Sequence, residues 1–172
     1  MRKSGFILLA ALSFSAGAQV CNEQMVSSTH DNQYAVNSDG TVIDAVNGLV
    51  WQACSLGQTY TDNDCQGSPL EFADWPGALT AVRSYNNDNN SNYRLPSIME
   101  LDALVERSCA QPAIRLDAFP STPNGWFWTS SYDGQVNTGT EGRMINFSDG
   151  LEFDDGTNSH RYIRLVKNLG ED

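Results

Sequence analysis

The chain has 172 residues, with 10 lysines and arginines against 21 aspartates and glutamates, and a formal net charge of −11. An acidic surface of this kind repels phosphate backbones, so nucleic acid is excluded as an expected partner. The length suits one domain with a hydrophobic core of its own.

The N-terminus has the pattern of a secretory signal peptide, which we place at residues 1–18. Arg2 and Lys3 form its basic start, and residues 5–14 form an apolar run that is too short for a stable membrane span. Residues 16–18 read A-G-A, which is typical of a cleavage site. We therefore expect export to the periplasm or to the cell surface.

The expected mature chain is a single domain over residues 19–172. Loss of the two basic residues of the signal peptide leaves the mature chain with a net charge of −13. The mature sequence contains no second long apolar run, so no membrane span is expected in it. A lipoprotein acylated at Cys21 is the alternative, and it is disfavoured because Val20 is not a small residue. The sequence does not indicate an oligomeric state.

Four cysteines in an exported chain indicate disulfides. Their spacing matches no zinc motif, and four cysteines allow three connectivities. We favour Cys54–Cys65, because the short segment between these residues is rich in turn formers. Cys21–Cys109 would then tie the N-terminal arm to the end of a helix.

The first third of the chain predicts a polar arm and a small β-meander. Asp39-Gly40 and Asn47-Gly48 favour tight turns because these residues tolerate positive φ. The expected arm covers residues 22–33, and the expected strands cover residues 34–36, 42–44 and 49–52.

A first helix is expected over residues 75–86. Asp74 can cap its start, and Pro76 lies in the first turn, where no amide partner is lost. Five residues at helical spacing predict one buried stripe: Trp75, Ala78, Leu79, Val82 and Tyr85. The polar run 86–92 would end the helix as a solvated loop, an interpretation that we favour over a cation site.

A second helix is expected from Ser97 to about Arg107. Ser97 and Glu100 have the spacing of a capping box, and Pro96 disfavours helix before it. We expect Arg94 to be partly buried and to pair with a carboxylate or with backbone carbonyls. The alternative is that Arg94 holds an acidic ligand.

Three strands are expected in the last third, over residues 125–131, 143–150 and 161–167. In the last of them, alternation would place Tyr162, Arg164 and Val166 on one face, with Ile163 and Leu165 on the other.

The order of motifs resembles a known family. The segments DGTVIDAVNGLVWQACSLGQTY, YRLPSIMELDALVERSC, FPSTPNGWFWTSS, INFSDG and IRLVK follow one another over residues 39–167. This series is similar to the Lcl-type C-terminal domain, named after the terminal domain of a bacterial collagen-like adhesin. Asn47 stands where that family usually has threonine, and Tyr93 where it usually has tryptophan.

The resemblance implies a C-type-lectin-like α+β fold with antiparallel β-sheets, two short helices and a long irregular loop region. It also implies export and surface binding, including the binding of glycans by adhesins. A fold shared by many binding proteins does not by itself identify a ligand. The family's adhesin example is associated with sulfated polysaccharides, a ligand that a net charge of −13 disfavours here.

Catalysis is not expected. The chain contains no nucleophile elbow, no zinc-protease motif and no phosphate-binding glycine loop. His30 lies in the predicted arm, His160 lies before the last strand, and Ser130 and Ser131 have no base close in the sequence. A glycosidase pair among the many carboxylates is the remaining enzymatic alternative.

The acidic segment after the penultimate strand is a candidate calcium site, because Ca²⁺ takes six to eight oxygen ligands. Its candidate metal ligands are Asp149, Glu152, Asp154, Asp155 and Asn158. In calcium-dependent lectins of the implied fold, an Asn-Asp pair shares the ion with sugar hydroxyls. Asn146 and Asp149 lie at a comparable place, although the usual adjacent pair is absent. A solvated turn without calcium is the favoured interpretation.

Aromatic residues are further candidates for ligand binding. Trp126 and Trp128 could stack on sugar rings, although alternation along a strand places part of this aromatic run in the core. Trp51 and Trp75 are expected in the core. Residues 62–64 could supply oxygens to a cation, but a turn closed by a disulfide explains them better.

Two functions therefore stay open. The first is an exported, non-enzymatic recognition module that binds a glycan or a surface protein. The second is a structural or assembly component of the cell envelope or of an appendage, acting through contacts between proteins.

Overall fold

The computed structural model describes residues 18–132, 134, 142–153 and 161–171. The chain is α+β, as predicted, with mostly antiparallel sheets and two helices in the described ranges. In chain order the elements are β1 Val20–Cys21, β2 Tyr34–Val36, β3 Thr41–Asp44, β4 Leu49–Gln52, β5 Thr59–Thr61, β6 Asp64–Gln66, α1 Trp75–Asn89, α2 Ile98–Asp102, β7 Cys109–Ala110, β8 Trp126–Tyr132, β9 Gly142–Asn146, β10 Leu151–Phe153, β11 Arg161–Tyr162 and β12 Val166–Asn168.

Two four-stranded sheets form the body of the domain. The first has the order β12-β4-β3-β2 and contains the predicted meander, which the last strand of the chain completes. The second has the order β10-β9-β8-β11, in which β11 runs parallel to β8. The pairs β1-β7 and β5-β6 form two further sheets of two strands each. Neither described helix is long and apolar enough to cross a membrane.

Two buried clusters hold these sheets together. The larger lies between the two sheets and α2, and its largest fully buried side chains include Trp51, Phe119 and Phe127. The smaller lies under α1, which contributes the buried Ala78 and Val82 and the partly buried Trp75, Leu79 and Tyr85. The predicted helical stripe therefore faces the core.

Helix α1 starts as predicted and ends later. Asp74 accepts a hydrogen bond from the Gly77 amide and caps the first turn. The prediction that the helix ends at residue 86 is wrong, because it continues to Asn89 and Asn90 caps it in the left-handed conformation. The side chain of Asn86 bonds the amide and the carbonyl of Tyr93, which closes the following loop.

Helix α2 has the predicted capping box between Ser97 and Glu100. It ends at Asp102 rather than near Arg107, so the expected second half of this helix is wrong. The chain leaves the helix because Val105 bridges Ile114 and the Glu106 amide donates to the Ala113 carbonyl.

The expected strand over residues 161–167 is also not continuous. Its two ends belong to different sheets, as β11 and β12, and residues 161–166 are all buried. Arg164 is therefore not on a solvent face. Its guanidinium donates to the carbonyls of Gln52 and Ala53 and to the Thr122 hydroxyl. Burial lowers the pKa of Arg164 to about 9.

Both disulfides have the favoured pairing. Cys21–Cys109 joins β1 to β7, and Cys54–Cys65 joins the end of the meander to β6. The first closes a sequence separation of 88 residues and the second one of 11.

Candidate functional site

The turn between β9 and β10 contains the first two predicted ligand-binding residues. The Asn146 side-chain oxygen accepts from the Ser148 amide at 2.9 Å, and the Asp149 carboxylate accepts from the Leu151 amide at 3.1 Å. Gly150 closes the turn at φ +76°, with Val105 packed where a side chain would project. Asn146 and Asp149 therefore lie in one turn and hold its backbone.

The other predicted metal ligands are not all described. Glu152 lies on β10 and forms an ion pair with Arg143 of β9, both half-exposed. Asp154, Asp155 and Asn158 lie outside the described residues. Within the described ranges, no three histidine, cysteine, aspartate or glutamate side chains come together in a way that could hold a metal ion. Calcium binding at this segment stays a prediction.

The two candidate tryptophans occupy different environments. Trp128 is fully buried; its indole N–H donates to the Phe72 carbonyl, and the Arg161 guanidinium lies 5.1 Å from its ring centre. Stacking of a ligand on Trp128 is therefore wrong for this fold, because its side chain is buried within the smaller cluster and no ligand can reach it. Trp126 is only partly buried and packs at the edge of the smaller cluster.

Arg94 belongs to the scaffold. Its guanidinium forms two hydrogen bonds of 2.8 Å with the Glu100 carboxylate and one of 2.9 Å with the Asn168 side chain. Hydrogen bonding to Glu100 raises the pKa of Arg94 above its ordinary value. The prediction of a partly buried arginine paired with a carboxylate is confirmed.

The turn at residues 62–64 joins β5 to β6 and agrees with the interpretation as a disulfide-closed turn. Asp62 and Asn63 have φ values of 53° and 61°. The Asp64 carboxylate accepts from the Cys65 amide and from the Ser121 hydroxyl.

The buried carboxylate of Glu106 was not predicted from the sequence. It is 2% exposed and accepts hydrogen bonds from the hydroxyls of Ser27, Thr29 and Ser108. Burial alone would raise the pKa of Glu106, but these bonds outweigh it and hold the pKa far below its ordinary value. The predicted arm is thus docked on the domain through this side chain.

A polar groove with a volume of about 340 Å³ lies between α1 and the β5–β6 hairpin, and it was not predicted from the sequence. Such a volume lies within the range of ~300 to 1,000 Å³ that is usual for small-molecule sites. The groove is lined by Asp39, Gly40, Gln52, Cys54, Gln58, Thr59, Tyr60, Tyr85 and Asn89. These residues come from separate segments, and no local pattern joins them.

Contacts within the groove fix its polar side chains. Gln52 donates from its amide to the Tyr85 hydroxyl at 2.6 Å, and Asn89 donates to the Tyr85 carbonyl at 2.8 Å. Asp39 accepts from the amide and the hydroxyl of Thr41 at 2.9 and 2.7 Å. Two aromatic rings, three amide side chains and the Asp39 carboxylate therefore line one small volume among the described residues.

A larger cavity of about 580 Å³ lies beside the irregular segment 111–124. It is lined by Ala18, Gln19, Gln111, Pro112, Leu116, Ser121, Thr122, Pro123 and Asn124. Among the described residues, this lining includes neither an aromatic nor a charged side chain.

The family model of the Lcl C-terminal domain matches residues 40–167 of this chain. No curated protein and no solved structure gives a significant match to this chain.

Proposed function

Because the chain belongs to the Lcl C-terminal domain family, we propose that it is an exported, non-enzymatic recognition module that binds a glycan. Membership in this family indicates a surface or adhesin-like module. The two disulfides agree with a place outside the reducing cytosol.

The polar groove between α1 and the β5–β6 hairpin carries the proposal. Tyr60 and Tyr85 contribute partly buried aromatic rings to its lining, and Asp39, Gln52 and Asn89 offer hydrogen-bonding groups beside them. Sugars present both kinds of surface, since their rings have apolar C–H faces and hydroxyl edges. Tyrosine suits such a ligand because it combines an apolar body with a polar tip.

A glycan array tests this function. The chain with both disulfides formed is expected to bind a defined subset of glycans saturably, in calcium and in chelator alike. Binding that is lost in chelator would keep the glycan function but favour the predicted calcium site around Asp149. A chain that binds no glycan in either buffer would contradict the proposal and favour the envelope-component alternative.

A further inference from the structure

We propose that the groove between α1 and the β5–β6 hairpin binds an uncharged saccharide, and that it does so without calcium. This inference rests on the proposed glycan-binding function. It assigns that function to a place remote in sequence from the acidic segment 146–158, and it names the class of sugar.

The aromatic surface of the groove is built into the scaffold. Tyr60 packs against Gly40 so closely that a β-carbon at position 40 would lie 2.6 Å from the Tyr60 β-carbon. Gly40 also has φ +82°, a conformation that other residues rarely adopt. Cys54, bonded to Cys65, fixes the hairpin that carries Tyr60. The ring of Tyr60 is therefore held in place before a ligand arrives, which lowers the entropic cost of binding.

The polar groups of the groove match hydroxyls. The described contacts of the Asp39 carboxylate both fall on Oδ1, which leaves acceptor capacity at Oδ2. Hydrogen bonds from Thr41 hold the pKa of Asp39 below its ordinary value, so the side chain stays an acceptor at neutral pH. Gln52 donates to the Tyr85 hydroxyl and its side chain also bonds Tyr93, so its amide oxygen is the group that remains to accept. Sugar hydroxyls can donate to this oxygen and to the Asp39 carboxylate.

The charge of the groove selects against anionic sugars. Among the described residues that line the groove, Asp39 is the one with a charged side chain, and that charge is negative. Lys167 acts electrostatically on Asp39 but is not among the lining residues. The net charge of −11 adds a repulsive field for sulfate and carboxylate groups. An uncharged saccharide avoids repulsion both by the Asp39 carboxylate and by the net negative charge of the chain.

The same lining argues for binding without calcium. Calcium sites use six to eight oxygen ligands, commonly with several carboxylates. The part of the chain that the structure describes supplies the groove with a single carboxylate, that of Asp39. Contact between protein and sugar is therefore direct, and chelator should leave the affinity unchanged.

Substitutions in the groove test the inference by titration with the neutral oligosaccharide that gives the strongest array signal. Tyr60→Ala and Asp39→Ala are each expected to weaken binding by about ten- to hundredfold. Tyr60→Phe keeps the ring and should bind nearly as well as the parent chain. Tyr132→Ala, which removes a half-exposed tyrosine outside the groove, is the matched control and should leave the affinity unchanged. If Tyr60→Ala does not fold, the exposed Asp39 still provides the test.

An Asn146→Ala/Asp149→Ala double variant distinguishes failure of the groove inference from failure of the proposed glycan-binding function. Loss of binding in this double variant, with full binding in both groove variants, would overturn the inference and leave the proposed function intact. A parent chain that binds sulfated glycans better than neutral ones would also overturn it. A parent chain that binds no glycan at all would overturn the proposed function and the inference together.

Discussion

Replacement of Glu106 by alanine is expected to lower the free energy of unfolding by about 3 kcal/mol. The carboxylate is buried and accepts from the amides of Ser28 and Thr29 at 3.0 and 3.2 Å as well as from neighbouring hydroxyls. Its removal leaves these donors without their acceptor and removes the contacts of the carboxylate with residues 27–29 of the arm. Urea unfolding at pH 7 measures the loss.

The matched control for this substitution is Glu23→Ala, an exposed glutamate in the same arm. It should change the unfolding free energy by less than about 0.5 kcal/mol. Equal losses in the two variants would contradict the role that we assign to Glu106.

Glu106 also predicts a dependence of stability on pH. Its pKa is lower in the folded chain than in the unfolded chain, where a glutamate titrates near ~4.3. Its stabilisation is therefore complete above that value and is lost as the pH falls towards the folded-state pKa. Glu106→Gln does not titrate at this position, so its deficit relative to the parent chain should shrink between pH 7 and pH 3.

The second large effect concerns the disulfides. Replacement of Cys21 and Cys109 by alanine is expected to cost about 4 to 5 kcal/mol, against about 3 kcal/mol for Cys54 and Cys65. The difference follows from the loops that the bonds close, since their sequence separations are 88 and 11 residues and a longer loop restricts the unfolded chain more. Thermal and urea unfolding of the two double variants shows which disulfide contributes more to the free energy of unfolding.

A larger loss from the Cys54–Cys65 pair would contradict this account. It would indicate that the β5–β6 hairpin contributes more to the folded state than the docking of the N-terminal arm does. The parent chain with both bonds reduced supplies the reference for the combined effect.

Local signals predicted the helix starts well. Asp74 and the Ser97–Glu100 box act through hydrogen bonds within a few residues, so the sequence alone places them. The helix ends were harder, because α2 stops where Val105 pairs with a segment that follows it in the chain. That competition depends on tertiary structure and leaves no local pattern.

The last part of the chain shows the same limit. Residues 161–167 have the alternation of one strand, yet their ends join two sheets and Arg164 lies fully buried between them. The groove was also invisible in the sequence, since Asp39, Tyr60 and Tyr85 belong to segments that only the fold brings together. The expected strand over residues 143–150 ends at Asn146, because the side chains of Asn146 and Asp149 bond the backbone of the turn that follows.

Chemical-shift mapping by NMR tests the central claim most directly. The isotopically labelled chain is titrated, in the presence of chelator, with the neutral oligosaccharide that gives the strongest signal on the glycan array. The account predicts that the largest amide shifts fall on Asp39, Gln52, Tyr60, Tyr85 and Asn89, which line the groove. Shifts centred on residues 146–153, or the absence of any shift in chelator, would contradict it.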